Sequence, residues 1–229
     1  MIKHLAVIMD GNRRWATSRG LSAMFGHREG AKAVEHAIKF CLDSEISHLS
    51  LYTFSLVNFQ RSRAEKEYLF DLILQELESK LDFFIEQQVR VRFIGDRTLF
   101  PAHVIPTCHR VEQATAKFDK LGLNFLFCYG ARQEILDGVR RLVHKVTTGE
   151  LAEADLTEKI FEQCLWSSGV PAPDIIIRTG GHQRLSNFLL YQAAYSEFCF
   201  LDCLWPDITV QHFQNVVTSF ENRMRNFGI

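Results

Sequence analysis

The stretch His4-Leu5-Ala6-Val7-Ile8-Met9-Asp10-Gly11-Asn12-Arg13-Arg14-Trp15 decides the fold. Residues 5–9 are apolar at odd and even positions alike. A short run of that kind reads as a strand buried on both faces, the habit of parallel sheets. It stops abruptly at Asp10 and Gly11, and the residues after them can start a helix. The same pattern recurs at 49–55, 89–94, 123–128 and 175–177, with a further candidate at 198–201. Segments with helical spacing fill the intervals at 29–44, 65–88, 102–117, 132–147 and 156–166, and a last one is expected at 210–226. This alternation predicts an α/β fold, a mostly parallel central sheet of about six strands flanked by helices. No linker, repeat or low-complexity stretch interrupts it, so residues 1–229 read as a single domain.

Composition agrees. The chain has 229 residues, against about 150 for a typical domain, and can bury a core without disulfides. With 47% hydrophobic and 23% charged residues it is neither disordered, collagen-like nor a coiled coil. The net charge of −1 and the lack of stacking aromatics beside the arginines argue against a nucleic-acid binder. No apolar run reaches the ~18 residues of a membrane span. The apolar start is too short for a signal peptide, so a cytoplasmic location is expected. Six cysteines without a CxxC pair read as small core residues rather than as a metal site. Nineteen phenylalanines leave room for an apolar cavity as well as a core. The segment 65–88 is apolar over more than one stripe, so one face can pack on the sheet while another lines a pocket.

Three polar clusters interrupt this pattern, each at the end of an apolar run, where open α/β sheets bind ligands. The first is Asp10 to Trp15. Gly11 permits a tight turn, and Arg14 adds positive charge for an anion. Asp10 would repel a phosphate unless a cation such as Mg²⁺ sat between them. The second is Ser55-Leu56-Val57-Asn58-Phe59-Gln60-Arg61-Ser62-Arg63. The third is Arg178-Thr179-Gly180-Gly181-His182-Gln183-Arg184-Leu185-Ser186-Asn187. Its arginines, serine and flexible glycine pair can converge on a diphosphate, which the planar guanidinium fork suits. Glu197 beside Tyr195 and Phe198 is a carboxylate in apolar surroundings, which wants a cation or a proton. Phosphate loops of the GxxxxGK[ST] or GxGxxG type are absent, as are a GxSxG elbow and a DDxxD box.

Taken together, residues 4–16, Gly26-His27-Arg28-Glu29-Gly30, the 178–188 stretch, Ala194-Tyr195-Ser196-Glu197, Leu204-Trp205-Pro206-Asp207 and Arg225-Asn226-Phe227-Gly228 resemble the cis-prenyltransferase family, undecaprenyl diphosphate synthase and its relatives. The resemblance spans nearly the whole chain in order. It implies a homodimer that condenses isopentenyl diphosphate onto an allylic diphosphate, usually farnesyl diphosphate, with Mg²⁺. The product would be a long Z-polyprenyl diphosphate, a lipid carrier for cell-wall synthesis. It would grow in an apolar tunnel and be released with peripheral contact to a membrane.

Residue roles follow from the same resemblance. Asp10 matches the aspartate that holds the metal and assists the leaving diphosphate. Gly11, Asn12, Arg13 and Arg14 match the loop around that diphosphate, with Trp15 and His27 nearby. Ser55, Asn58 and Arg61 match a loop that closes over substrate, Asn58 aiding deprotonation, with Phe59 at a substrate-binding position of that loop. Arg178, Arg184 and Ser186 match the isopentenyl diphosphate site, and Glu197 the second metal carboxylate. Residues around Gly228 match a tail reaching the partner subunit. The 65–88 segment matches a tunnel wall and Leu121 a position near its floor. Ala23, Val57, Phe59, Ser62 and His182 depart from common family residues and leave the allylic substrate open. Competing readings are a shorter or irregularly coupled product and a non-catalytic subunit. Retention of Asp10, Arg184, Ser186 and Glu197 speaks against the latter.

Overall fold

A computed structural model describes residues 2–222 of the chain. The strands are β1 (His4–Ile8), β2 (His48–Ser55), β3 (Val89–Ile94), β4 (Leu121–Tyr129), β5 (Ile175–Arg178) and β6 (Glu197–Phe200). They form one six-stranded sheet in the order β3-β4-β2-β1-β5-β6, every pair parallel. The helices are α1 (Asn12–Thr17), α2 (Ala23–Asp43), α3 (Arg63–Ser79), α4 (Leu81–Glu86), α5 (Ile105–Thr115), α6 (Ala131–Thr147), α7 (Glu158–Cys164) and α8 (Val210–Glu221).

The double-sided burial expected of β1 is realised. Leu5 and Val7 join the core under α2, α3, α5 and α8, while Ala6 and Ile8 pack with Tyr129, Ile176 and Phe188 on the opposite face. The chain leaves β1 on one side for β2 and returns on the other side as β5. The carboxyl ends of β1 and β5 therefore flank the point where strand order reverses, the crevice in which open α/β sheets take ligands.

Two helices differ most from their expected bounds. The 65–88 segment is split at Lys80, which ends α3 and starts α4 with φ −107° and ψ 3°. No glycine or proline marks the break, so periodicity alone joins the two pieces. The split turns α4 beneath the sheet and buries Phe84. Helix α2 begins at Ala23, six residues earlier than expected from 29. The last part of the expected 210–226 helix and the tail around Gly228 lie outside the described residues.

At the amino ends of the strands His4 is buried, its ring bonded to the Pro171 carbonyl at 2.7 Å and to Ser50 Oγ at 2.8 Å. Burial drives its pKa down to about 4, against a partial lift from the Pro171 carbonyl. The folded protein thus holds His4 neutral, while the unfolded chain takes up a proton below its ordinary value of about 6.5. Stability contributed by His4 is complete above that value and falls progressively as pH drops toward about 4. The loss should reach about 3 kcal/mol. Urea unfolding at neutral pH and near pH ~4 measures it, and His4→Gln should remove most of that slope.

Candidate active site

Asp10 follows β1 directly and Arg178 ends β5. The switch point joins them: Arg178 Nη2 donates to Asp10 Oδ2 at 2.8 Å, and Arg178 Nη1 donates to Ser186 Oγ at 2.8 Å and to the Arg184 carbonyl. Arg14 Nη2 donates to the other Asp10 oxygen at 3.1 Å, and its Nη1 to the Gly180 carbonyl at 2.8 Å. Thr179 Oγ1 donates to the Asp10 backbone carbonyl at 2.7 Å. Two glycines make this junction possible. Gly11 at φ +119° turns the chain into α1, and Gly180 at φ +84° has no room for a Cβ, which would fall 2.3 Å from Arg14 Nη2. Burial pushes the Asp10 carboxyl up, but Arg178 and Arg14 outweigh it and hold the pKa below its ordinary value.

A second knot lies across the crevice. Arg61, after the turn 56–60, donates to Glu65 Oε1 at 3.1 Å. His27 Nε2 lies 3.3 Å and Arg13 Nε 4.0 Å from the same oxygen. Burial lowers the His27 pKa, Arg61 lowers it further, and Glu65 works against both. Asp10, Arg13, Arg14, His27 and Arg61 line one polar cleft.

That cleft continues into an apolar cavity between α2 and α3. Met9, Asn12 and His27 line both. The cavity, about 820 Å³ with the solvent at its mouth, is walled by Ala31, Val34 and Ile38 of α2 and by Leu69, Leu72, Ile73 and Leu77 of α3. Phe84, Phe93, Phe125 and Phe127 complete it from α4 and the sheet. Its charged residues, Glu76 and Lys80, lie toward the carboxyl end of α3. Lys80 pairs there with Glu35 of α2 and lies 3.4 Å from Glu76. Leu121 is buried at the start of β4 opposite Val89 and is not part of the lining. Asn12 Oδ1, at the join of cleft and cavity, is a buried acceptor without a hydrogen-bond partner.

Several expected site residues stand elsewhere in this arrangement. Asn58 Oδ1 accepts from the Ser55 backbone N–H at 2.9 Å, so both residues close their own turn. Phe59 packs edge-on to Phe54. Trp15 Nε1 donates to Asp207 at 2.6 Å, and Arg19 stacks over its ring. Arg184 and Ser186 are exposed on the loop that Arg178 holds.

Within one chain Glu197, expected as the second metal carboxylate, does not meet Asp10. Glu197 opens β6 in register with Ile175, at the amino end of the sheet. Asp10 and Arg178 lie at the carboxyl end, about 10 Å further along the strands. The parallel pairing of β6 with β5 dictates this separation.

Among the described residues, Asp10 is the carboxylate that the switch point offers as a hard oxygen donor. No group of three or more His, Cys, Asp or Glu side chains converges among the described residues. That arrangement fits Mg²⁺, which takes one or two carboxylates and completes its shell with phosphate and water oxygens.

Sequence reasoning missed Glu65 and the Lys80 pair. Glu65 sits in a charge run, residues 61–67, that reads as a solvated helix start, and nothing local shows that its carboxylate turns inward. Among the described residues no helix is long and apolar enough to cross a membrane.

A family model described as putative undecaprenyl diphosphate synthase matches residues 8–228. The chain is 42% identical over 226 residues to the isoprenyl transferase of Thermotoga maritima, covering 99% of this chain and 96% of that one. It is 40% identical to the farnesyl-diphosphate-specific ditrans,polycis-undecaprenyl-diphosphate synthase of Legionella pneumophila, covering 99% and 95%. Among solved structures, lavandulyl diphosphate synthase from Lavandula x intermedia, in complex with dimethylallyl diphosphate, superposes with a TM-score of 0.96 at 32% identity, covering 100% of this chain and 98% of that one.

Proposed function

The chain belongs to the undecaprenyl diphosphate synthase family of isoprenyl transferases, and from that premise we propose that it adds isopentenyl diphosphate units to farnesyl diphosphate, with Mg²⁺, to build a long Z-polyprenyl diphosphate. One observation carries the reading. The arginine-lined cleft runs into the apolar cavity through shared walls at Met9, Asn12 and His27. A ligand with an anionic head and a growing hydrocarbon tail fits that shape, the head among Arg13, Arg14 and Arg61 and the tail between α2 and α3.

The chemistry follows from charge. The allylic C–O bond breaks as a new C–C bond forms to the isopentenyl unit, a proton leaves that unit, and diphosphate departs. Negative charge grows on the departing oxygens, so groups that gain attraction as it grows stabilise the transition state more than the ground state. Arg13, Arg14 and Arg61 supply that attraction. Arg178, with Ser186 and the exposed Arg184, takes the second diphosphate beside Asp10. Asp10 would hold Mg²⁺, which when bound would supply further neutralisation of the leaving group. Asn58 and Ser55 sit on the turn beside Arg61, where their polar groups can assist proton removal once the turn exchanges its internal bond for substrate.

The homodimer is part of the same proposal. Leu136, Val139 and Val143 stand exposed at 50%, 43% and 56% along one face of α6. That spacing is a single helical stripe, and a second copy would cover it. Light scattering should give twice the chain mass of 26.4 kDa, and Val139→Glu should return it to one chain mass.

The function itself is tested by incorporation of labelled isopentenyl diphosphate into extractable lipid, with farnesyl diphosphate as primer and Mg²⁺ present. A ladder of products is expected. No incorporation with farnesyl, geranyl or dimethylallyl primers would overturn the reading. The close backbone likeness to lavandulyl diphosphate synthase favours one alternative, irregular coupling of two allylic units. Product formed from dimethylallyl diphosphate alone would establish it.

A further inference from the structure

Ser62-Arg63-Ala64-Glu65 has the S-x-x-E spacing of a capping box. Half of the box forms, since Ser62 Oγ accepts from the Glu65 backbone N–H at 3.3 Å. The Glu65 carboxylate faces the other way. Its Oε1 meets Arg61 after the turn 56–60, His27 of α2 and Arg13 of α1 at 3.1, 3.3 and 4.0 Å. One oxygen thus draws together basic side chains from three separate segments around the polar cleft. The Glu65 side chain is only 13% exposed, and those of His27 and Arg61 are 8% and 25% exposed. The next residue secures the same turn, with Lys66 Nζ donating to the Phe59 carbonyl at 3.1 Å.

Without an anion at this point Arg61, 25% exposed, would face Arg13, 62% exposed, with no counter-charge between them. A largely buried cation left without its counter-charge moves toward water. Segments 56–61 would then move off α1 and α2. We propose that Glu65 is a positioning residue for the allylic diphosphate: its carboxylate latches the turn 56–60 and Arg61 onto α1 and α2, and so holds the three basic groups on the rim of the cleft before substrate arrives. The inference rests on the reading that this cleft takes the allylic diphosphate. The isopentenyl site is built on Arg178 and Ser186 across the crevice and does not use the latch.

Glu65→Gln keeps the shape and removes the charge, and Glu65→Asp keeps the charge on a shorter stem. Two measurements separate the latch from a general loss of structure. In substrate-free protein, trypsin should cut after Arg61 and Arg63 about tenfold faster in Glu65→Gln than in wild type. In steady-state turnover its KM for the allylic diphosphate should rise about tenfold, with KM for isopentenyl diphosphate unchanged and Tm held. Glu65→Asp should recover part of both effects. An unchanged or lower allylic KM together with an equally protected turn would overturn the proposal. So would a fall in Tm with both KM values rising together. Wild-type protein that incorporates no isopentenyl unit would instead overturn the functional reading, and the trypsin comparison would still judge the latch.

Discussion

Replacing Asp10 by asparagine should lower kcat by about a thousandfold, and should also lower Tm, because the buried Arg178 loses its counter-charge. Arg178 and Arg14 each donate to a different oxygen of the Asp10 carboxylate, at 2.8 and 3.1 Å. Asparagine is nearly the same size, but it has one acceptor oxygen and carries no charge. It would turn an N–H donor toward one guanidinium and could not hold a divalent cation beside a diphosphate. The loss falls on charge neutralisation during departure of the leaving group, so kcat should suffer more than either KM. The pH dependence has a definite sign. Because the arginines hold the Asp10 pKa below its ordinary value, the carboxylate stays ionised to lower pH than an unpaired aspartate. Any acid limb from Asp10 should therefore lie below the usual position for an aspartate. A single-turnover experiment with preformed enzyme and allylic substrate separates the chemical step from product release. If Asp10→Asn kept wild-type turnover, this carboxylate would have no part in the chemistry.

The strands were legible in the sequence because their burial leaves no polar face to hide them. Ala6 and Ile8 are as buried as Leu5 and Val7, and apolar runs of this kind mark parallel strands wherever helices cover both sides of a sheet. The crevice residues were legible for a related reason. Asp10, Arg178 and Ser186 are polar groups placed where an apolar run stops, and the switch point brings those ends together. The failures have physical causes too. Lys80 breaks a helix through tertiary packing, with Glu35 on another helix drawing its side chain, and no local residue announces that. The distance between Glu197 and Asp10 within one chain comes from the parallel register of β6, which carries Glu197 to the amino end of the sheet. Glu65 reads locally as part of a solvated charge run, because its three partners lie on segments up to 52 residues away in the chain. Local pattern reports which face is apolar. It does not report which distant cations will share one oxygen.

The cavity gives the second large effect. Val34→Trp should truncate the product ladder to a few isoprene units, where wild type continues beyond them. The cavity wall on α2 extends from His27 to Ile38, which is about 16 Å at the helical rise. Val34 stands about 10 Å below His27 on that scale, facing Ile73 and Leu72 of α3 across the cavity. Each five-carbon unit that enters gains roughly 4 kcal/mol from burial, at ~0.8 kcal/mol per methylene-sized group. An indole at Val34 takes up the space in which later units would bury. The longer tail would then have to compress against the indole or emerge into water, and elongation stops where the burial gain is lost. The charged foot should act in the opposite direction. Lys80 bridges α3 to Glu35 on α2 and so closes the cleft between the helices at its far end. Lys80→Leu removes that bridge and extends the apolar lining, so its ladder should reach further than that of wild type. Thin-layer chromatography of the dephosphorylated products, with equal primer and limiting time, reads both shifts. Ladders of equal length from both variants would mean that the tail does not grow between α2 and α3, whatever the cleft does with the diphosphate.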